Sequence, residues 1–216
     1  MNFKKPNFWD YKRVSFWSIL LLPFSIIYLI TLLIIQALKN REKFSIPIIC
    51  VGNIYLGGTG KTPVAREVFN IAKSLNKNPA FIKKYYDYLV DEVKMLEKTG
   101  KVFPCKKREE GISSAITKKH DVAILDDGFQ DLSINSNFSI LCFNSNQLIG
   151  NGFVIPSGPL RENLSAIRRS DCIIINGEKN LEFEEKLTKS MGGRKIPIFY
   201  SKYKIKNLEK FIKKEI

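Results

Sequence analysis

The sequence predicts an α/β protein: a mainly parallel sheet with helices on both faces, preceded by an N-terminal membrane helix or hairpin. Three observations lead there. An apolar run at 45–51 is followed by a glycine loop and then by apolar residues at helical spacing. Further short apolar runs recur with helical stretches between several of them, the alternation that builds parallel sheets. Residues 14–38, VSFWSILLLPFSIIYLITLLIIQAL, give 25 consecutive positions without a charge. The chain accordingly divides into an anchor with basic flanks (1–43) and an α/β domain (44–216).

The anchor comes first. As one helix, 25 residues would run roughly 37 Å, at about 1.5 Å per residue, longer than the ~30 Å hydrocarbon core. No short apolar region with a small-residue cleavage site marks a signal peptide. Pro23 removes one backbone donor and kinks a helix there, so a kinked span and a hairpin both fit. Lys4, Lys5, Lys12 and Arg13 against Asp10 precede the run, and Lys39, Arg41 and Lys43 against Glu42 follow it. That near balance does not orient a span, and each basic residue adds about 1 kcal/mol of attraction to anionic headgroups. Phe16, Trp17 and Tyr28 suit the interface.

The α/β elements follow. SIPIICVGN reads as a buried strand and loop, and Pro63 suits the first turn of the helix that carries Val64, Val68, Ile71, Ala72 and Leu75. PAFIKKYY is a second strand, around 80–83. Asp91 to Lys98 forms a short helix. Residues 122–125 form a third strand, closing on Asp126 and Asp127. FSILCFN, DCIIING and IPIFYS are three more.

Between the first strand and its helix lies GGTGKT. Backbone N–H groups of such a loop converge on one point, and the helix N-terminus adds partial positive charge, which together make a phosphate cradle of the P-loop NTPase type. Gly57, Gly58 and Gly60 let the backbone approach phosphate oxygens without a Cβ in the way, Thr59 belongs to the same nucleotide-binding loop, Lys61 reaches the β- and γ-phosphates, and Thr62 offers its hydroxyl to Mg²⁺. The first glycine of G-x-x-x-x-G-K-[ST] is replaced by Tyr55, which predicts a wider or differently folded loop entrance. A lysine before GG, used by partitioning-type ATPases, is absent, since Leu56 stands there. Asp126 and Asp127, at a strand end, are the candidate carboxylates on the metal side.

Composition narrows the partners. Lys and Arg number 35 against 21 Asp and Glu, a net charge of +14, which favours anionic partners. No RNA- or DNA-binding signature and no interleaved aromatic–basic face is present, so the expected partner is an anionic lipid surface rather than nucleic acid. Cys50, Cys105, Cys142 and Cys172 have no C-x-x-C spacing and read as buried free thiols, and one histidine, His120, argues against a dedicated metal centre.

VGNIYLGGTGKTP, DVAILDDGFQD, IGNGFVIPSGPLRE and IIING, in that order, resemble tetraacyldisaccharide 4'-kinase, the lipid A 4'-kinase of Gram-negative bacteria. The resemblance implies a membrane-bound kinase at the cytoplasmic face of the inner membrane, with ATP and Mg²⁺ as cofactors. It would transfer the γ-phosphate to the 4'-hydroxyl of a lipid A precursor disaccharide. A multi-acylated acceptor leaves the bilayer at about 0.8 kcal/mol per CH₂, so the enzyme must come to the membrane. Carried over by position, Lys61, Asp127 and Asp91 are catalytic, Asp91 as general base. Thr62, Asp126 and Asp127 take the metal, and Arg161 and Glu162 take the substrate. The family's Gly-Asp-Glu-Pro is here Val90-Asp91-Glu92-Val93. Its Ser-Arg-Gly-Tyr-Gly is Lys83-Lys84-Tyr85-Tyr86, and Asp131 stands where histidine is common. The family also continues beyond a point equivalent to Ile216, with a histidine motif that His120 does not match, so the chain reads as lacking the C-terminal portion. The alternative is a membrane-docked P-loop ATPase switch without lipid kinase activity, which would leave GPLRE and Asp91 without a role.

Overall fold

A computed structural model describes residues 5–11, 13–86 and 90–202. Lys4 and Lys12 of the basic flank, and 203–216 of the α/β domain, lie outside the described residues.

Seven strands form one sheet: β1 (Ile48–Gly52), β2 (Pro79–Lys84), β3 (Val102–Cys105), β4 (Val122–Asp126), β5 (Phe138–Asn144), β6 (Cys172–Asn176) and β7 (Ile198–Ser201). Their order is β3-β2-β4-β1-β5-β6-β7, and every pairing is parallel. The expected mainly parallel sheet is therefore present. One strand, β3, escaped the sequence reading because Pro104 interrupts it. At a sheet edge that proline costs no ladder bond on its open side.

Side chains alternate between two apolar layers. One layer holds Ile48, Cys50, Ala123 and Leu125, covered by α5 (Arg108–Thr117) and α6 (Leu181–Ser190) through Ile112, Phe183 and Leu187. The other holds Val51, Ile124, Ile140 and Cys142, covered by α3 (Lys61–Ser74) and α4 (Val90–Glu97) through Val64, Phe69, Val93 and Leu96. Helices thus sit on both faces. All four cysteines are buried free thiols, and desolvation pushes the Cys50 thiol up to about 12.

The N-terminal apolar run is two helices, α1 (Phe16–Leu20) and α2 (Leu22–Leu38). The break falls at Leu21, and Pro23 sits in the first turn of α2, where its missing N–H is harmless. Among the described residues no helix is long and apolar enough to cross a membrane. The polarity of α2 is inverted. Ser25, Tyr28 and Gln36 face the protein, while Phe24, Ile26, Ile27, Ile30, Leu33, Ile34, Ile35 and Leu38 are exposed. Ser25 Oγ donates to Val154 O at 2.8 Å, Tyr28 Oη to Arg161 O at 3.0 Å, and Gln36 Nε2 to Glu162 Oε2 at 3.3 Å.

Candidate functional site

The C-terminal ends of parallel strands leave a crevice where loops diverge, and ligands of α/β folds bind there. Here β1 delivers the glycine loop, β4 delivers Asp126 and Asp127, and β2 ends in Lys83 and Lys84. In register, Val51 lies beside Asp126 and Lys83 beside Asp126 from the other side.

The loop entrance accounts for Tyr55. Residues 54–56 run antiparallel to 159–161: Arg161 N donates to Ile54 O at 2.7 Å and Leu56 N to Pro159 O at 2.8 Å. Tyr55 is fully buried, and its hydroxyl accepts from Lys5 at 2.9 Å and donates to Asp10 at 3.2 Å. A side chain that anchors the entrance to the N-terminal segment replaces a glycine. Asn53 Nδ2 donates to Tyr55 O at 2.7 Å, and Asn176, at the end of β6, donates to Thr59 O at 2.5 Å. Gly60 caps α3 at φ +81, a left-handed conformation that costs any other residue strain.

A cleft of about 710 Å³ opens over this loop, lined by residues 56–63 with Tyr86, Glu92, Met95, Asp127 and Arg161. Lys61 Nζ lies 3.5 Å from Asp127 Oδ1, and Arg161 Nη1 lies 3.0 Å from the same oxygen. Burial pushes the Asp127 pKa up, but the charges of Lys61, Arg161 and Lys83 outweigh it and hold the carboxyl below its usual range. Asp127 adopts φ +60, turning its carboxylate back toward the loop. Asp126 is fully buried. Its Oδ2 accepts from Thr62 Oγ1 at 3.2 Å and from Lys83 Nζ at 2.7 Å, while its Oδ1 is buried with no hydrogen-bond partner among the described residues.

The sequence-predicted residues separate into two groups. Gly57, Gly58, Thr59, Gly60, Lys61, Thr62, Asp127 and Arg161 line the cleft, and Asp126 stands behind Thr62. Glu162 is buried outside it. Its oxygens accept from Arg169 at 2.8 and 3.0 Å, from Gln130 at 3.3 Å and from Gln36, so it braces the loops. Asp91 is exposed on the first turn of α4, whereas its neighbour Glu92 lines the cleft.

Four residues were missed. Lys83 is buried inside a strand, where it looked like an ordinary polar position. Gln130 donates to Asn53 O at 2.7 Å and accepts from Arg161 at 3.1 Å, joining three of the quoted motifs. Asn151 Nδ2 donates to Ser157 O at 2.9 Å and to Ser18 Oγ at 3.0 Å, which makes the GNG stretch a clamp on the N-terminal helices. Arg108 donates to Asp131 at 2.7 Å and to Asp127 O at 2.7 Å. Gln130 and Asn151 were signalled only by membership in the quoted blocks, Lys83 only as a departure from the family's Ser-Arg-Gly-Tyr-Gly, and Arg108 by nothing.

Comparison with known proteins places this geometry in a family context. A family model described as "Tetraacyldisaccharide-1-P 4'-kinase" matches residues 17–215. A tetraacyldisaccharide 4'-kinase of Pelagibacter ubique is 46% identical over 182 residues, which cover 83% of this chain and 57% of that protein. One from Rhodopseudomonas palustris strain BisB5 is 32% identical over 194 residues, covering 81% of this chain and 56% of that protein. The chain thus spans a little over half the length of the curated relatives it matches. LpxK from Aquifex aeolicus, solved in complex with ATP, superposes with a TM-score of 0.65 at 26% identity, covering 73% of this chain and 58% of that one. The signal recognition particle 54 kDa protein of Aeropyrum pernix, at a TM-score of 0.51 and 9% identity over 87% of this chain and 49% of that one, shares the fold alone.

Proposed function

Because this chain belongs to the tetraacyldisaccharide-1-P 4'-kinase family, we propose that it acts in ATP-dependent transfer of the γ-phosphate to the 4'-hydroxyl of a tetraacyldisaccharide 1-phosphate, a lipid A precursor. The observation that carries this reading is the convergence of the glycine loop, Lys61, Thr62, Asp127 and Arg161 on one cleft at the strand ends.

The steps follow from the residues. Amides of 57–61 and the α3 N-terminus bind the polyphosphate. Lys61 and Arg161, which hold Asp127 here, are the cations a triphosphate would draw onto its own oxygens. The acceptor oxygen attacks Pγ, the bond from Pγ to the β,γ-bridging oxygen breaks, ADP leaves, and the hydroxyl proton passes to a carboxylate. Asp91 is the candidate by family position.

The residues also fit Mg²⁺ brought in with the nucleotide. Asp126 Oδ1 is a buried acceptor without a partner, and the Thr62 hydroxyl stands beside that carboxylate. Among the described residues no group of three or more His, Cys, Asp or Glu could hold a metal ion by itself, which suits an ion held largely by phosphates. Bound there beside Thr62 and Asp126, Mg²⁺ would supply positive charge to offset that of the phosphates.

Location at the cytoplasmic face of a bacterial inner membrane belongs to the same reading. The inverted polarity of α2, with its apolar residues outward, supports a helix lying in the interface with anionic lipids around it. The basic balance of the chain supports it too.

The test is transfer of labelled phosphate from ATP to the precursor disaccharide in mixed micelles, alongside a full-length relative. Labelled lipid is the expected result. ATP turnover with no label in the lipid would overturn the assignment for this chain.

A further inference from the structure

Lys83, at the end of β2, is the more deeply buried lysine of this site: its side chain is 3% exposed against 12% for Lys61. Its ammonium bridges two elements. Nζ lies 2.7 Å from Asp126 Oδ2 on β4 and 2.6 Å from Glu92 Oε2 on α4. Asp126 Oδ2 also accepts from Thr62 in the first turn of α3. One cation therefore joins the helix that carries Asp91 and Glu92 to the carboxylate behind the phosphate loop. Burial alone would lower the lysine pKa, but Asp126, and then Glu92, outweigh it and raise it.

We propose that Lys83 is a positioning residue for phosphoryl transfer: it fixes the Asp126 carboxylate with one oxygen engaged and one free, and latches the first turn of α4 against the edge of the cleft. Its catalytic consequence rests on the kinase reading above; the latch itself does not.

Two features make the latch more than a buried ion pair. Glu92 and Met95 line the cleft, so the element that Lys83 holds is a wall of the site. Asp126 is fully buried with Oδ1 left without a partner, so which oxygen Lys83 takes decides which one is left free behind Thr62. Removing Lys83 leaves the Asp126 carboxylate buried and uncompensated and frees Glu92, 44% exposed, to be solvated, whereas removing Glu92 leaves the Lys83–Asp126 pair in place and releases only α4.

The test uses the full chain with Lys83→Met, Lys83→Arg and Glu92→Gln, followed by amide hydrogen exchange over residues 90–97, thermal unfolding, and transfer kinetics. Lys83→Met should speed exchange over 90–97 by ~10-fold or more, against little change in α5. It should lower kcat by ~10-fold with the KM for ATP held within about twofold, since the loop is untouched. Lys83→Arg should restore both in large part. Glu92→Gln should speed the same exchange, and the double variant should be no faster than Lys83→Met alone. Should Lys83→Met fail to fold, Glu92→Gln decides: unchanged exchange over 90–97 overturns the latch. A lower unfolding temperature with unchanged exchange at α4 and unchanged kcat per folded molecule also overturns it, because a merely structural lysine would behave so. A wild-type chain that transfers no phosphate would instead sink the kinase reading, while the exchange data still decide the latch.

Discussion

Arg161 Nη1 stands 3.0 Å from Asp127 Oδ1 and 3.2 Å from Asp127 Oδ2, so one guanidinium nitrogen spans both carboxylate oxygens. Lys61 approaches the same group from the loop side. Both cations are poised where a polyphosphate would compete for them. Lys61→Ala should cut phosphoryl transfer by ~10²-fold or more, as loss of a charged stabiliser does. Vesicle association should persist. Labelled-ATP transfer and liposome flotation on the same samples check the pair, and unchanged transfer would remove the loop lysine from the mechanism.

Arg161→Lys keeps the charge and loses the planar guanidinium, whose Nη1 also donates to Gln130 at 3.1 Å. Its kcat should fall by ~10-fold, between wild type and Arg161→Ala. Equal activity of the lysine variant and wild type would mean that charge alone matters there.

Asp91→Ala should leave nucleotide binding intact and abolish transfer if the exposed carboxylate accepts the hydroxyl proton. Fluorescent-nucleotide titration beside the transfer assay reads this. Retained transfer would hand the role to another group, and Glu92, already paired with Lys83, is the nearest acid on that helix.

Asp131, joined to Asp127 through Arg108, offers a pH test read on stability. Burial pushes its pKa up, but Ser133, Arg108 and Lys39 together hold it down, from 3.8 to about 2. A depressed carboxylate contributes stability above its unfolded pKa and loses it as pH falls through the folded one. Asp131→Asn should therefore cost about 2 kcal/mol above pH ~4, and the difference should shrink toward pH ~2. Urea melts of both proteins across that range measure it, and a pH-independent difference would contradict the assignment.

For α2, Ile27→Asp with Ile34→Asp should reduce vesicle association by at least ~10-fold while changing stability by no more than ~0.5 kcal/mol, because both side chains are exposed. Tyr28→Phe should do the opposite: vesicle association is retained, and about 1 kcal/mol is lost with the bond to Arg161 O. Flotation and chemical denaturation separate the two.

What could be read in advance was local. GGTGKT between an apolar run and a helical repeat announces its own geometry, because neighbouring residues make it. Asp126 and Asp127 were visible as acids closing an apolar run. Long-range partners were not. The tie from Gln36 to Glu162 joins residues separated by 126 positions, and nothing near either one marks it. Glu162 was assigned to substrate only by its family position beside Arg161, and here it is buried against Arg169. β3 was hidden by a proline that only an edge strand tolerates. The break at Leu21, rather than at Pro23, follows from proline's comfort in a first turn.

The hydrogen bonds from Ser25 and Tyr28 carry a practical consequence. Trimming away the oily leader to gain solubility would remove the Tyr28 donor from the Arg161 carbonyl and leave Val154 O with only the Gly158 amide. The segment that presents Arg161 to the cleft would lose its backing. A shortened protein could dissolve well and still be catalytically misaligned, so solubility is the wrong yardstick for choosing where to cut.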